Sequence, residues 1–141
     1  MKVNRITFLL IVSVVLAAGN ACSMTKGKGL AEKAVVQFHE QFNAQRYREI
    51  YSQTDDEFKK FASEADFVAL LEAVQRKLGA VKGSSPSGWG VNATTMGTMA
   101  TLSYDVEFGE GKGQEQFVFR ISNDRALLYR YNVNSPLLIT R

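Results

Sequence analysis

The sequence predicts an α+β domain in which N-terminal helices pack on one face of a curved antiparallel sheet of about four strands. Three C-terminal stretches, 100–108, 114–121 and 126–133, alternate apolar with polar residues, which is the pattern of half-buried strands. The chain before them carries apolar residues at steps of three and four, the period of an amphipathic helix. Helices followed by strands favour an α+β arrangement.

The first 21 residues have the composition of a secretory signal peptide. Lys2 and Arg5 precede an apolar run over 6–18, and small residues follow it. The run is shorter than the roughly 20 residues that a helix needs to cross a bilayer. We therefore expect residues 1–21 to be removed on export to the cell envelope, where the protein faces the periplasm or the exterior.

Cys22 is the only cysteine and directly follows the expected cleavage point. This placement resembles bacterial lipoproteins, whose modified cysteine becomes the first mature residue, and Gly19 stands where they usually carry a branched apolar residue. The alternative is ordinary cleavage after Ala21, which leaves a free thiol in an oxidising compartment. We favour lipidation of Cys22 and thus a membrane partner. The glycine-rich stretch 22–29 predicts a flexible tether, followed by a single domain.

That domain spans 30–141, and its charge disfavours a nucleic-acid partner. Removing Lys2 and Arg5 from 17 basic residues leaves 15 against 14 acidic ones, a net charge near +1. No basic run remains that would bind a polyanion.

Three helical segments are predicted to open the domain. The first spans 30–45, and a shorter one follows over 47–51. A third begins at Asp55 and Asp56, because acidic side chains favour the positive end of a helix. Two phenylalanines three residues apart are expected to face the core from this segment: Phe58 and Phe61.

A fourth helix runs from Ser63, a good N-cap, to Gly79, a natural stop. Its apolar stripe consists of Phe67, Leu70, Leu71, Val74 and Leu78. The next region, 80–98, should contain the first strand between 80 and 93, and its 83–88 stretch reads as a loop. Trp89 is expected to be a packing anchor, since large aromatic residues are usually buried.

The register of the last two strands depends on their connection. A two-residue turn at 123–124 would shift the pairing by one residue and turn the final strand over. A three-residue loop through Arg125 keeps both aromatic faces together, so we expect that loop. It also allows Asp105 to lie near Arg120 on the outer face. The aromatic pairs expected in this register are Phe117 with Tyr131 and Phe119 with Tyr129.

Three motifs carry a resemblance to a known fold: the aromatic spacing over 38–51, the helix end over 76–79 and the closing stretch 129–135. The pattern resembles the cone-shaped fold of nuclear transport factor 2 and the related cystatin-like domains, specifically small exported bacterial domains of unknown function. The resemblance covers nearly the whole mature chain and implies the fold. That fold hosts isomerases, dehydratases and binding modules, so it leaves the activity open.

No catalytic residue, cofactor or metal site is predicted. His39, the sole histidine, lies on the first helix, where a solitary histidine is more often packed or solvated than catalytic. Asp105 and Glu107 alternate away from the apolar face and should point outwards. One cysteine and one histidine cannot form a usual metal site. No phosphate loop, dinucleotide fingerprint or nucleophile elbow is present.

The aromatic residues either fill the core, which we favour, or line a pocket with hydroxyl groups. They are Tyr47, Tyr51, Trp89, Tyr104, Phe119, Tyr129 and Tyr131. This choice stays open, so the sequence leaves any ligand-binding residues unknown.

The sequence thus favours a cell-envelope lipoprotein that acts as a non-catalytic binding or assembly module for an envelope protein or a small apolar ligand. The alternative is a small isomerase-like or hydratase-like enzyme that uses buried tyrosines and His39 inside the cone. The interior distinguishes the two. An enzyme needs a roomy cavity with an acid or a histidine pointing in, whereas a docking module has a filled interior and an exposed apolar patch.

Overall fold

A computed structural model describes the backbone of residues 5–139 and the side chains of 22–139. The protein is α+β, as predicted, with N-terminal helices followed by an open antiparallel sheet in the order β1-β2-β3-β4. The side chains of the predicted signal peptide, 1–21, lie outside the described residues. The elements are α1 (Arg5–Asn43), α2 (Tyr47–Ser52), α3 (Asp56–Phe61), α4 (Glu64–Leu78), β1 (Val81–Thr94), β2 (Gly97–Phe108), β3 (Lys112–Ser122), β4 (Arg125–Asn134) and α5 (Pro136–Ile139).

Helix α1 includes the stretch 22–29, where the sequence predicts a flexible tether. Its contacts with the sheet explain the difference. Gly27 is buried, and a Cβ there would lie 3.6 Å from the side chains of Val91 and Ile121. Lys26 Nζ lies 2.7 Å from Asp124 Oδ1 in the turn between β3 and β4. Packing against the sheet therefore begins within the stretch. Among the described residues, we find no helix with the length and apolar character needed to cross a membrane.

The connection between β3 and β4 is a two-residue turn, so the predicted three-residue loop is wrong. Asn123 and Asp124 have φ angles of 48° and 59°, the left-handed backbone of the tight hairpin turn that matches strand twist. The register shift that this turn causes is cancelled by a β-bulge opposite Val118 and Phe119, where β4 carries one extra residue, Tyr129. Phe117 therefore pairs with Tyr131, as predicted.

The bulge changes the other expected pair. Phe119 lies opposite Leu128, not Tyr129. Leu128 and Tyr131 are both buried, although they are three positions apart in the strand, because the bulge returns the strand to the same face. The apolar face is thus preserved by a backbone irregularity in β4 and not by the length of the loop.

Strand β1 begins near the predicted position but runs through 83–88, where the sequence predicts a loop. Register shifts between Val81 and Gly83 and between Pro86 and Gly88 allow this stretch to pair with β2. Bulges and an edge position are where a sheet tolerates proline and glycine.

One core lies between the helices and the sheet, and its largest fully buried side chains come from every layer: Phe42, Leu71, Leu78, Leu102 and Phe117. Phe58 packs against it, but Phe61 is 85 % exposed, so the prediction for Phe61 is wrong. Trp89 is 57 % exposed, with Lys28 Nζ 5.4 Å from the ring centroid, and is not the expected packing anchor. Leu70 is also exposed. Trp89 lies on the edge strand β1, and Phe61 is the last residue of α3.

Candidate functional site

A network of three polar side chains lies inside the fold, between α1 and the sheet. His39 reaches the interior from α1, one position beyond Phe38 on the apolar stripe. Glu115 comes from β3 and shares its inward face with Phe117, because side chains two apart in a strand point the same way. Tyr131 comes from β4, directly opposite Phe117.

The Glu115 carboxylate joins the other two groups. Its Oε2 lies 2.6 Å from His39 Nε2, and its Oε1 accepts a hydrogen bond of 2.7 Å from the Tyr131 hydroxyl. Glu115 is only 3 % exposed. Buried polar groups are costly unless they are paired, and no buried side-chain nitrogen or oxygen among the described residues is left without a partner.

This network was missed at the level of the sequence, which predicted no acid in the interior. Glu115 alternates in step with Phe117 and Phe119 along β3, so its side chain points to the same face as theirs. This alternation was the signal in the sequence that could have placed Glu115 in the interior. His39 is packed in the interior, which is one of the two outcomes expected for a lone histidine. It is also paired with a buried carboxylate, that of Glu115, which the sequence did not predict. Asp105 and Glu107 do point outwards and are exposed, as predicted.

The tyrosine of the network is held in its protonated form. Burial, followed by the negative charge of Glu115 and the hydrogen bond to it, raises the pKa of Tyr131 well above its usual value of 10. Tyr131 therefore serves as a hydrogen-bond donor at ordinary pH. Chemically, the three groups form a hydrogen-bonded chain that could act as a general acid or base only on a reactant in contact with it.

Aromatic rings pack around the His39 side of the network, whereas Glu115 and Tyr104 also line a groove of ≈ 460 Å³. Three aromatic rings surround the His39 imidazole edge to face, with centroid distances of 6.1 Å to Phe38, 5.9 Å to Phe117 and 6.5 Å to Tyr104. A cavity between α1 and β4 has a volume of ≈ 40 Å³, room for about one water molecule. Neither His39 nor Tyr131 lines that cavity.

A second polar pair ties the helical layer to the sheet. Asp55 caps α3, since its Oδ1 accepts a hydrogen bond of 2.9 Å from the Glu57 amide. Its Oδ2 also accepts one of 2.8 Å from Arg120 Nε, and Arg120 Nη2 donates to Oδ1. The position of Asp55 at the start of this helix is as predicted. The predicted proximity of Asp105 to Arg120 is wrong. Strands β2 and β3 pair Asp105 with Gln114, and Arg120 lies opposite Met99.

Asp55 gives the protein an acid-dependent part of its stability. Burial alone would raise the pKa of Asp55, but the hydrogen bonds from Arg120 and from the Glu57 amide, with the charges of Arg120 and Lys59, together lower it. A carboxyl group whose pKa is lowered by folding stabilises the protein above its unfolded pKa, about 3.9. That stabilisation is lost as the pH falls through the folded pKa.

We therefore expect Asp55→Asn, which keeps the cap but not the charge, to lower the free energy of unfolding by about 2 kcal/mol at pH 7. The difference from wild type should shrink as the pH falls below about 4. Urea unfolding of both proteins between pH 7 and pH 2.5 measures it. The control is Asp56→Asn, an exposed acid in the same turn, which should match wild type throughout. A difference in unfolding free energy that is as large at pH 2.5 as at pH 7 would contradict the assignment of this stability to the charge of Asp55.

The outer surface of the sheet carries two rows of polar side chains that cross neighbouring strands, and together they are named the polar face. One groove there has a volume of ≈ 520 Å³ and a second of ≈ 460 Å³, and Gln114 and Asn134 line both. Gln114 Nε2 donates to Asp105 Oδ1 at 3.0 Å. The first row is Ser85, Asp105, Gln114 and Asn134, and the second is Ser103, Gln116 and Asn132.

The remaining site prediction concerns Cys22, which lies on α1 with its side chain exposed. Within residues 22–139, no three His, Cys, Asp or Glu side chains come together in a group that could hold a metal ion.

No family model matches the sequence. A search among curated proteins also found no significant match.

Proposed function

We propose that the protein is an exported cell-envelope lipoprotein, anchored through Cys22, that acts as a non-catalytic binding module. Its fold is proposed to be of the nuclear transport factor 2-like or cystatin-like kind, which the order of helices and strands supports. The binding surface is proposed to be the polar face, and the partner another envelope protein. One contrast carries this proposal: the cavity between α1 and β4 has a volume of ≈ 40 Å³, while the groove on the polar face along Asp105, Gln114 and Asn134 has ≈ 520 Å³. A second groove of ≈ 460 Å³ beside it is also bordered by Glu115 and Tyr104.

The chemistry of the polar face favours a polar partner. Amide and hydroxyl groups line both grooves, the carboxylates of Asp105 and Glu107 line the first, and Lys112 is the cation beside it. Such groups pair with main-chain and polar side-chain atoms, and they give little affinity to a hydrocarbon. A small apolar ligand would need interior volume, which the ≈ 40 Å³ cavity does not provide. An envelope protein is therefore the better occupant of the two that the sequence suggested.

Photo-crosslinking in the native host tests this surface. A photoreactive amino acid replaces Gln116, on the polar face, or Glu40, an exposed residue of α1 in the helical layer. We expect a discrete adduct from position 116 and none from position 40. Adding Asn132→Arg, which places a large cation in the same groove, should reduce the adduct at least fivefold. No adduct at 116, or the same adducts at both positions, would overturn the proposal.

The enzyme alternative has one observation in its favour, the interior network of His39, Glu115 and Tyr131. Catalysis there requires that a reactant reach the imidazole. His39 is the only histidine, so acylation of imidazole by diethyl pyrocarbonate reports on it alone. We expect modification at least a hundredfold slower than in the urea-unfolded chain. Modification at the unfolded rate would show that the interior opens and would favour the enzyme.

A further inference from the structure

Helix α1 places Cys22 at one end of the sheet. At that end, named the turn end, lie the β1–β2 turn around Thr95 and Met96 and the β3–β4 turn at 123–124. Lys26 contacts Asp124 of the second turn. The other end of α1 lies where β1 begins, since the Asn43 side chain donates to Val81 O at 2.9 Å and accepts from Val81 N at 2.8 Å.

Cys22 and the tips of the two turns lie at about the same height along the molecule. Cys22 precedes Gly27 by five residues of helix, or about 7.5 Å, and Gly27 lies at the level of Val91. From Val91, β1 continues for three residues to Thr94, about 10 Å. A group attached to Cys22 therefore emerges beside the turns.

The connection between Cys22 and the domain is a rigid helix. If residues 22–29 were a flexible chain, the domain could move about 15 Å from its anchor in any direction. In the structure they are helical, and the helix is already packed on the sheet at Gly27. A lipid on Cys22 would thus restrain the orientation of the whole domain and not only its distance from the bilayer.

We propose that the turn end is a membrane-facing surface, which the lipid on Cys22 holds against the bilayer. This inference rests on the acylation proposed above. Two exposed methionines at this end, Met24 and Met96, suit the boundary between headgroups and acyl chains. Lys26 and Arg125 lie at this end with Asp124, and Arg120, which donates to Met96 O at 3.2 Å, lies there with its partner Asp55. The three cations exceed the two acids and suit anionic headgroups. The polar face, whose rows lie toward the other end of the sheet, is then held away from the bilayer and open to a partner.

Fluorescence quenching on vesicles tests the orientation. Acylation consumes the thiol of the only native cysteine, so a second cysteine can be labelled selectively in the acylated full-length mature protein. Thr95→Cys labels the turn end, and Glu110→Cys labels the turn at the opposite end of β2, a strand of 12 residues or about 40 Å. Vesicles contain phosphatidylethanolamine and phosphatidylglycerol at three to one, with a nitroxide on the headgroup.

We expect the label at position 95 to be quenched at least threefold more strongly than the label at 110. Equal quenching, or stronger quenching at 110, would overturn the inference. An insertion of eight glycine and serine residues after Ser23 should bring the ratio close to one, and an unchanged ratio would contradict the role of the rigid helix. Mass spectrometry of the mature N-terminus is carried out first. A missing lipid on Cys22 would refute the proposed anchoring, whereas a lipid-bearing protein with equal quenching would refute only the orientation.

Discussion

Replacing Glu115 with alanine should lower the free energy of unfolding by about 3 kcal/mol. The substitution leaves His39 Nε2 and the Tyr131 hydroxyl without the carboxylate that now pairs with both. Both groups are buried, so water cannot replace that partner without opening the core. Chemical denaturation at pH 7 measures the change.

Two further variants separate the network from ordinary surface effects. Glu115→Gln keeps the volume and an oxygen that accepts from Tyr131, so we expect a smaller loss of about 1 kcal/mol. Glu107→Ala removes an exposed acid from β2, the neighbouring strand, and should change the stability by less than about 0.5 kcal/mol. If Glu115→Ala were as mild as Glu107→Ala, the carboxylate would not hold the interior together.

Phe117→Ala should be the most destabilising single truncation, with a loss of about 4 kcal/mol. Phe117 is fully buried in the middle of β3, and its ring lies 5.1 Å from that of Phe38 and 5.2 Å from that of Tyr131, centroid to centroid. Removing it leaves a void where helix and sheet meet, and the surrounding rings can close it only in part. The same denaturation measurement reports the loss.

Phe61→Ala is the matched control, since it deletes the same ring from a site that is 85 % exposed. We expect its stability to remain within about 0.5 kcal/mol of wild type. A loss at position 117 no larger than that at 61 would mean that the core does not depend on this ring cluster. Phe117→Leu, which retains most of the volume, should fall between the two.

Much of the local structure could be predicted because its causes are local. Ser63 caps α4 by accepting from the Asp66 amide at 3.1 Å, and Gly79 ends the helix with a φ of 79°. The alternation in β2 likewise indicated which of its side chains point inwards. In each case the residues within a few positions along the chain carry the whole interaction, so the pattern alone was sufficient.

The interior network could be predicted only in part. The alternation that places Glu115 on the same face as Phe117 is visible in the sequence. Glu115 lies near the start of β3, however, where an inward-facing side chain can still be exposed to solvent. Its burial depends on His39, which is 76 positions away in the chain, and on the register of Tyr131. The same holds for Asp55 and Arg120, which are 65 positions apart.

By itself, the sequence determined the fold class, the ends of α4, the inward face of β2 and the outward direction of Asp105 and Glu107. The tertiary structure decided the rest: the two-residue turn with its compensating bulge at Tyr129, the continuous helix through Cys22, and the pairing of His39, Glu115 and Tyr131. The reason is physical. Caps and alternation satisfy bonds between near neighbours, whereas a buried charge or a bulge becomes favourable only when distant segments are packed against it.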